Sequence, residues 1–183
     1  MKRAVFLDRD GVLARALMRE GKAYAPVTPD EMEIEPESPA ALARLKGAGF
    51  LLVVVTNQPD VGRGTTRRED VETMHSALRA ALPLDAVYVC YHDDSAACAC
   101  RKPKPGMLME AAAALGIDCA RSYMVGDRWR DIDAGAAAGC RTVWIDRGYA
   151  ERTPDHTPDA RVETLTGAVS WILSDALNPV ESF

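Results

Sequence analysis

The chain has 183 residues, 48% of them apolar and 27% charged, with a formal net charge of −5. That length fits a single domain, residues 1–183, and that apolar share is enough for a core. The acidic balance argues against nucleic acid or an anionic membrane as partner, and no apolar run approaches the roughly 20 residues of a bilayer span.

The first ten residues, "MKRAVFLDRD", are basic but too briefly apolar for a secretory leader, so a cytoplasmic monomer is expected. "AVFL", 4–7, reads as a short buried strand that breaks at once into Asp8, Arg9, Asp10 and Gly11. Residues 14–37 lack periodicity and read as a functional loop. Ser38 and Pro39 then read as an N-cap and first-turn proline, with Ala41, Leu42, Leu45 and Ala48 on one helical face. "FLLVVV", 50–55, is apolar without alternation, as expected of a parallel strand covered on both faces. Thr66 and Glu69 have capping-box spacing ahead of a stripe of Val71, Met74, Leu78 and Leu82. "AVYVC", 86–90, is a third strand, and 93–105 is a second loop without pattern. Leu108, Ala111, Ala112 and Leu115 mark a helix closed by Gly116. "SYMV", 122–125, is a strand; 131–138 is a helix closed by Gly139; "TVWI", 142–145, is a strand. Leu165, Val169, Ile172, Leu173 and Ala176 mark a last helix. This alternation predicts an α/β fold of three layers, a Rossmann-like parallel sheet with helices on both faces.

Open α/β sheets bind ligands at the carboxyl ends of their strands. There the sequence places Asp8 and Asp10, then Thr56, Asn57 and Gln58, then Asp127 and Arg128, with Lys102 and Lys104 in "CRKPKPG". Acids, a hydroxyl and a lysine together suit phosphoryl transfer. Asp8 and Asp127 would hold Mg²⁺ through oxygen. One carboxylate can attack phosphorus, and a second can protonate the leaving oxygen and later activate water. Lysine and hydroxyl groups would hold the charge that spreads over the phosphoryl oxygens.

Five cysteines are present, and Cys90, Cys98 and Cys100 fall within eleven residues of one another, beside His92. Three thiols and an imidazole suit tetrahedral Zn²⁺, and a full protein set leaves no position for substrate. The zinc would be structural, folding the 90–105 loop and fixing Arg101 and Lys102. Cys119 and Cys140 read as core residues and His75 as structural.

"FLDRDGVL", "VVVTNQ", "CRKPKPGM" and "MVGDRWRD" resemble the four motifs of the haloacid dehalogenase-like phosphatases. They are most similar to subclass IIIA, the branch of heptose 1,7-bisphosphate and histidinol-phosphate phosphatases. The resemblance implies Asp8 as nucleophile and Asp10 as general acid/base with its carbonyl on Mg²⁺. It further implies Thr56 and Lys102 on the transferring phosphoryl group and Asp127 completing the metal site. That branch carries a similar zinc loop, and the short connections here leave no room for a large cap. The substrate implied is a sugar bisphosphate, with a histidinol phosphate or related metabolite as the alternative. Arg9, Tyr24, Asn57, Gln58, Arg63, Arg101 and Arg128 are the candidate substrate-binding residues, Arg101 for the non-reacting phosphate. Two other readings compete. A receiver-like phosphoacceptor would be phosphorylated without turnover, but Thr56 stands where its isolated aspartate would. A zinc-stabilised interaction module would bind nucleic acid in a salt-sensitive way.

Overall fold

The computed structural model describes residues 1–20 and 22–177. The elements are β1 (Ala4–Leu7), β2 (Leu17–Arg19), β3 (Lys22–Tyr24), α1 (Ser38–Gly47), β4 (Leu51–Asn57), α2 (Pro59–Gly62) and α3 (Arg68–Ala81). There follow β5 (Ala86–Cys90), α4 (Gly106–Leu115), β6 (Tyr123–Gly126), α5 (Trp129–Ala137), β7 (Arg141–Ile145), β8 (Ala160–Val162) and α6 (Leu165–Leu177). Six strands form one parallel sheet in the order β5-β4-β1-β6-β7-β8. The chain runs outward from β1 through β4 to β5, then returns to β6 on the other side of β1. The point where strand order reverses lies between β1 and β6, which is where such sheets open a crevice for ligands.

The strands lack alternation because both faces are buried. Val5, Leu7, Leu52 and Val54 point into one core with Leu42 and Leu45 of α1, Leu78 of α3 and Val169 and Ile172 of α6. Ala4, Phe6, Val53 and Val55 point into the other, with Met107, Leu108 and Ala111 of α4 and Ala134 of α5. Gly116 closes α4 in the left-handed region at φ 67°, the conformation glycine adopts without a Cβ penalty. No helix among the described residues is long and apolar enough to cross a membrane.

Three local expectations are corrected. The capping box of Thr66 and Glu69 does not form: α3 starts one residue later with Arg67 at its N-cap, and the Thr66 hydroxyl is buried without a partner. Ser38 lies inside α1 and donates to the Leu13 carbonyl at 3.3 Å, while the preceding Glu37 accepts from the backbone N–H groups of Leu165 and Thr166 at the start of α6. The 14–37 stretch is not wholly irregular, because β2 and β3 pair antiparallel within it. At the far edge of the sheet, the three residues of β8 add a strand that the sequence pattern does not announce.

Candidate active site

β1 ends beside β6, and its register places Leu7 opposite Val125. Asp8 follows Leu7 directly and Asp127 follows Val125 after Gly126, so the two acids leave adjacent strands at the same edge. After Asp8 the chain turns sharply: the Arg9 carbonyl accepts from the N–H groups of Leu13 and Ala14, both at 2.9 Å. Gly11 makes that turn at φ 85°, and a Cβ there would lie 1.8 Å from Asp127 Oδ2. Only glycine allows the β1 turn to approach Asp127 so closely.

Ligand oxygens of Asp8, Asp127 and Asp131 lie within 4.8 Å of one another, and all three residues are buried. Both Asp127 oxygens are buried without a hydrogen-bond partner. The Tyr149 hydroxyl faces that carboxylate and eases its charge a little, but falls short of hydrogen-bonding geometry. Burial first, then Asp8 and Asp131, push Asp127 well above the usual carboxylate range. Burial pushes Asp131 up to about 6, with Lys102 opposing the rise and Asp8 adding to it. A divalent cation fits this set: three hard oxygen donors, two orphaned oxygens, and a crowding of negative charge that a cation would reverse.

Lys102 is the counter-charge the protein itself supplies. Its ammonium is wholly buried and donates to Asp8 Oδ1 at 2.8 Å, Asp131 Oδ1 at 2.6 Å and the Val55 carbonyl at 2.7 Å. Burial alone would lower its pKa, but Asp131 and Asp8 outweigh that and hold it above its ordinary value. Lys104 turns away and donates to the Cys98 carbonyl at 2.7 Å. The geometry thus separates the two lysines of "CRKPKPG". Asn57 places Lys102: its amide donates to the Lys102 carbonyl at 3.0 Å and accepts from the Lys102 N–H at 3.1 Å.

Asp10 is held by three donors. Arg9 grips it with Nε and Nη2, at 2.8 and 3.0 Å, and Gln58 Nε2 donates to its Oδ2 at 2.8 Å. The same Gln58 nitrogen donates to Thr56 Oγ1 at 2.9 Å, so the threonine accepts there and keeps its own proton to give. Two of the candidate substrate-binding residues are buried here. Arg9 is 0% exposed and does not line the cavity; it grips Asp10 from behind and donates to His75 Nε2 at 3.2 Å. Gln58 is equally closed off at 3% exposure. Both position Asp10, because a carboxylate beside a bidentate guanidinium has little freedom to rotate. His75 accepts from Arg9 and is therefore neutral; burial first and then Arg9 bring its pKa down to about 4.

The cavity above these groups has a volume of about 270 Å³. Asp8, Asp10, Lys102, Asp127 and Asp131 line it, together with Tyr24, Asn57, Arg63, Arg101 and Arg128. Ala16, Ala23 and Ala25 of the β2–β3 hairpin join them. Arg130 was missed, although its spacing from Asp127 at the start of α5 could have found it. Asp131, at the start of the helix expected over 131–138, accepts from the Arg128 N–H at 3.0 Å and also joins the acid cluster. Asp133 accepts from the N–H groups of Asp155 and His156 and ties that loop to α5.

Cys90, His92, Cys98 and Cys100 converge beside this cavity. Cys90 Sγ lies 3.7 Å from Cys98 Sγ, 3.2 Å from Cys100 Sγ and 3.6 Å from His92 Nδ1, and Cys100 Sγ lies 3.3 Å from His92 Nδ1. Around a tetrahedral zinc the ligand atoms would be about 3.5–3.8 Å apart. Gly106 lets this loop pack on the start of α4, since a Cβ there would lie 2.2 Å from the Ala99 carbonyl oxygen.

This arrangement has relatives. A protein from Bordetella bronchiseptica named D-glycero-beta-D-manno-heptose-1,7-bisphosphate 7-phosphatase is 35% identical over 154 residues, 81% of this chain and 83% of that one. The chain belongs to the haloacid dehalogenase-like phosphatases. A family profile described as HAD-hydrolase-like matches residues 99–168. A Pasteurella multocida protein with the same name as the Bordetella one is 38% identical over 160 residues, 81% of this chain and 84% of that one. The crystal structure of D,D-heptose 1,7-bisphosphate phosphatase from B. bronchiseptica, complexed with magnesium and phosphate, superposes with a TM-score of 0.77. It is 30% identical and covers 94% of this chain and 99% of that one. The three-layer fold and the family that the sequence motifs suggested are thus both found in this HAD phosphatase.

Proposed function

We propose that this chain is a Mg²⁺-dependent phosphomonoesterase that removes the 7-phosphate of D-glycero-D-manno-heptose 1,7-bisphosphate through an aspartyl-phosphate. The observation that carries the chemistry is Asp8: buried, paired with Lys102, and within 4.8 Å of Asp127 and Asp131 at the floor of an arginine-walled cavity. The names and coverage of the relatives support the heptose substrate.

Asp8, Asp127 and the backbone carbonyl of Asp10 would hold the magnesium, with Asp131 beside them. When bound, the ion neutralises phosphoryl oxygens and orients the ester. Asp8 attacks phosphorus in line with the departing sugar oxygen; the new P–O bond forms as the ester P–O bond breaks. Asp10, fixed by Arg9 and Gln58, gives the leaving oxygen a proton. It then takes one from a water that attacks the same phosphorus and frees Asp8. Lys102 and the Thr56 hydroxyl hold the negative charge on the transferring group. The setting is a cytoplasmic monomer acting on a diffusible metabolite.

The test is released phosphate from β- and α-heptose 1,7-bisphosphate, other sugar mono- and bisphosphates and histidinol phosphate, with and without Mg²⁺. The heptose substrate should give the highest kcat/KM and lose it on chelation. A higher value for histidinol phosphate would move the enzyme to the neighbouring substrate of the branch.

The cysteine cluster is assigned to structural zinc. Purified protein should carry about one zinc per chain. Cys98→Ser should lower that content and raise KM, because the loop carries Arg101 into the cavity wall, while the helical circular dichroism persists. Metal-free protein with unchanged kinetics would contradict the assignment.

A further inference from the structure

α3 buries Val71, Met74, His75 and Leu78. Three of these are the apolar residues a helix presents to a core; the fourth is an imidazole, 3% exposed. Its Nε2 lies 3.2 Å from Arg9 Nη1. A guanidinium can only donate, so Nε2 accepts and the imidazole proton sits on Nδ1. That Nδ1 is buried with no hydrogen-bond partner among the described residues. An orphaned buried donor costs stability, and a leucine or methionine would fill the stripe without that cost. Packing alone therefore does not account for His75.

Arg9 does account for it. Its Nε and Nη2 hold the two oxygens of Asp10 at 2.8 and 3.0 Å, which uses one edge of the fork. Arg9 and Asp10 are neighbours in one tight turn, so on its own this pair is free to pivot as a unit. Nη1 is the nitrogen left over, and its bond to His75 ties the fork to a helix 66 residues further along the chain. Gln58, just past the end of β4, holds Asp10 Oδ2 at 2.8 Å. Asp10 is thus braced from two separate elements, from α3 through Arg9 and from the end of β4 through Gln58.

We propose that His75 is a positioning residue for the acid/base step: it anchors Arg9 so that the Asp10 carboxyl stays aimed at the leaving oxygen and then at the attacking water. This rests on the phosphatase reading above. A misplacement of about 1 Å at such a group costs on the order of 100-fold in rate. His75 does not line the cavity, so its loss falls on kcat and spares KM. The two half-reactions make different demands on Asp10. A sugar oxygen needs a proton as it leaves, whereas p-nitrophenolate is a stable anion and leaves without one. Hydrolysis of the aspartyl-phosphate needs Asp10 as base whichever ester was cleaved. An aryl phosphate therefore separates a fault at Asp10 from a general loss of activity.

The test compares His75→Gln, His75→Asn and His75→Leu with the wild type. Glutamine can bring its amide oxygen to the place of Nε2; asparagine is too short to do so, and leucine has no acceptor. With heptose 1,7-bisphosphate, kcat should fall by about 10- to 100-fold in the asparagine and leucine variants, with KM within about twofold of the wild type. The glutamine variant should recover most of kcat. Stopped-flow mixing with p-nitrophenyl phosphate should show, in the asparagine and leucine variants, a burst of about one nitrophenolate per active site before a slow steady rate. Asp8 is then phosphorylated at its usual rate and freed slowly. The glutamine and asparagine variants decide the matter even where the leucine variant fails to fold, since both are amides. Equal kcat in those two variants, both high or both low, would overturn the proposal, and so would a loss of activity without a burst. A wild type that releases phosphate from neither ester would instead overturn the phosphatase reading beneath it.

Discussion

Replacing Asp8 by asparagine should abolish turnover, lowering kcat for phosphate release by on the order of 10⁴-fold or more, the scale of losing a nucleophile. The amide has nearly the shape of the carboxylate but lacks the charge and nucleophilicity to displace the sugar oxygen. The fold should survive. Asp8 is one of three acids crowded at the floor of the cavity, and its charge is part of what pushes Asp127 and Asp131 upward. Removing one negative charge relieves that crowding, so the thermal midpoint should stay level or rise. Phosphate release and a melting curve on the same preparation check both halves. A variant that keeps more than about a tenth of the activity would put the attacking group elsewhere.

The second large effect is expected at Lys102. Its side chain is 2% exposed, and its ammonium serves two carboxylates and the Val55 carbonyl. Lys102→Met would fill the space and leave Asp8 and Asp131 buried without their counter-charge. Breaking a buried pair from one side costs about 3–5 kcal/mol. Loss of an electrostatic stabiliser of the transferring group should lower kcat by about 10²–10³-fold. Lys104→Met removes a surface ammonium from the Cys98 carbonyl and should change stability by less than about 0.5 kcal/mol. Urea unfolding of the two variants side by side separates these effects. Equal midpoints would mean that Lys102 is not the counter-charge of the acid pair.

Much of the site was legible because its chemistry sits at the ends of apolar runs. "AVFL", "FLLVVV" and "SYMV" announce strands, and in a parallel sheet whatever follows a strand falls on one edge. Asp8, Thr56 and Asp127 could therefore be brought together without coordinates. Contacts between side chains were not legible in the same way. Arg9 looked like a cation beside a phosphate site, but sequence does not say which side of a turn an arginine leaves from, and here it leaves toward His75. Asn57 and Gln58 were placed at the right edge, but sequence does not show that their amides hydrogen-bond Lys102, Asp10 and Thr56. The β2–β3 pair and β8 went unseen because strands of three residues carry too little pattern to separate from a loop.

The account stands on Asp8 and Asp127 sharing one divalent ion. A crystal structure of the Mg²⁺-loaded protein measures this directly. One ion should lie about 2.1 Å from a carboxylate oxygen of each residue, with water completing an octahedron. An ion bound away from both residues, or none at saturating Mg²⁺, would contradict it.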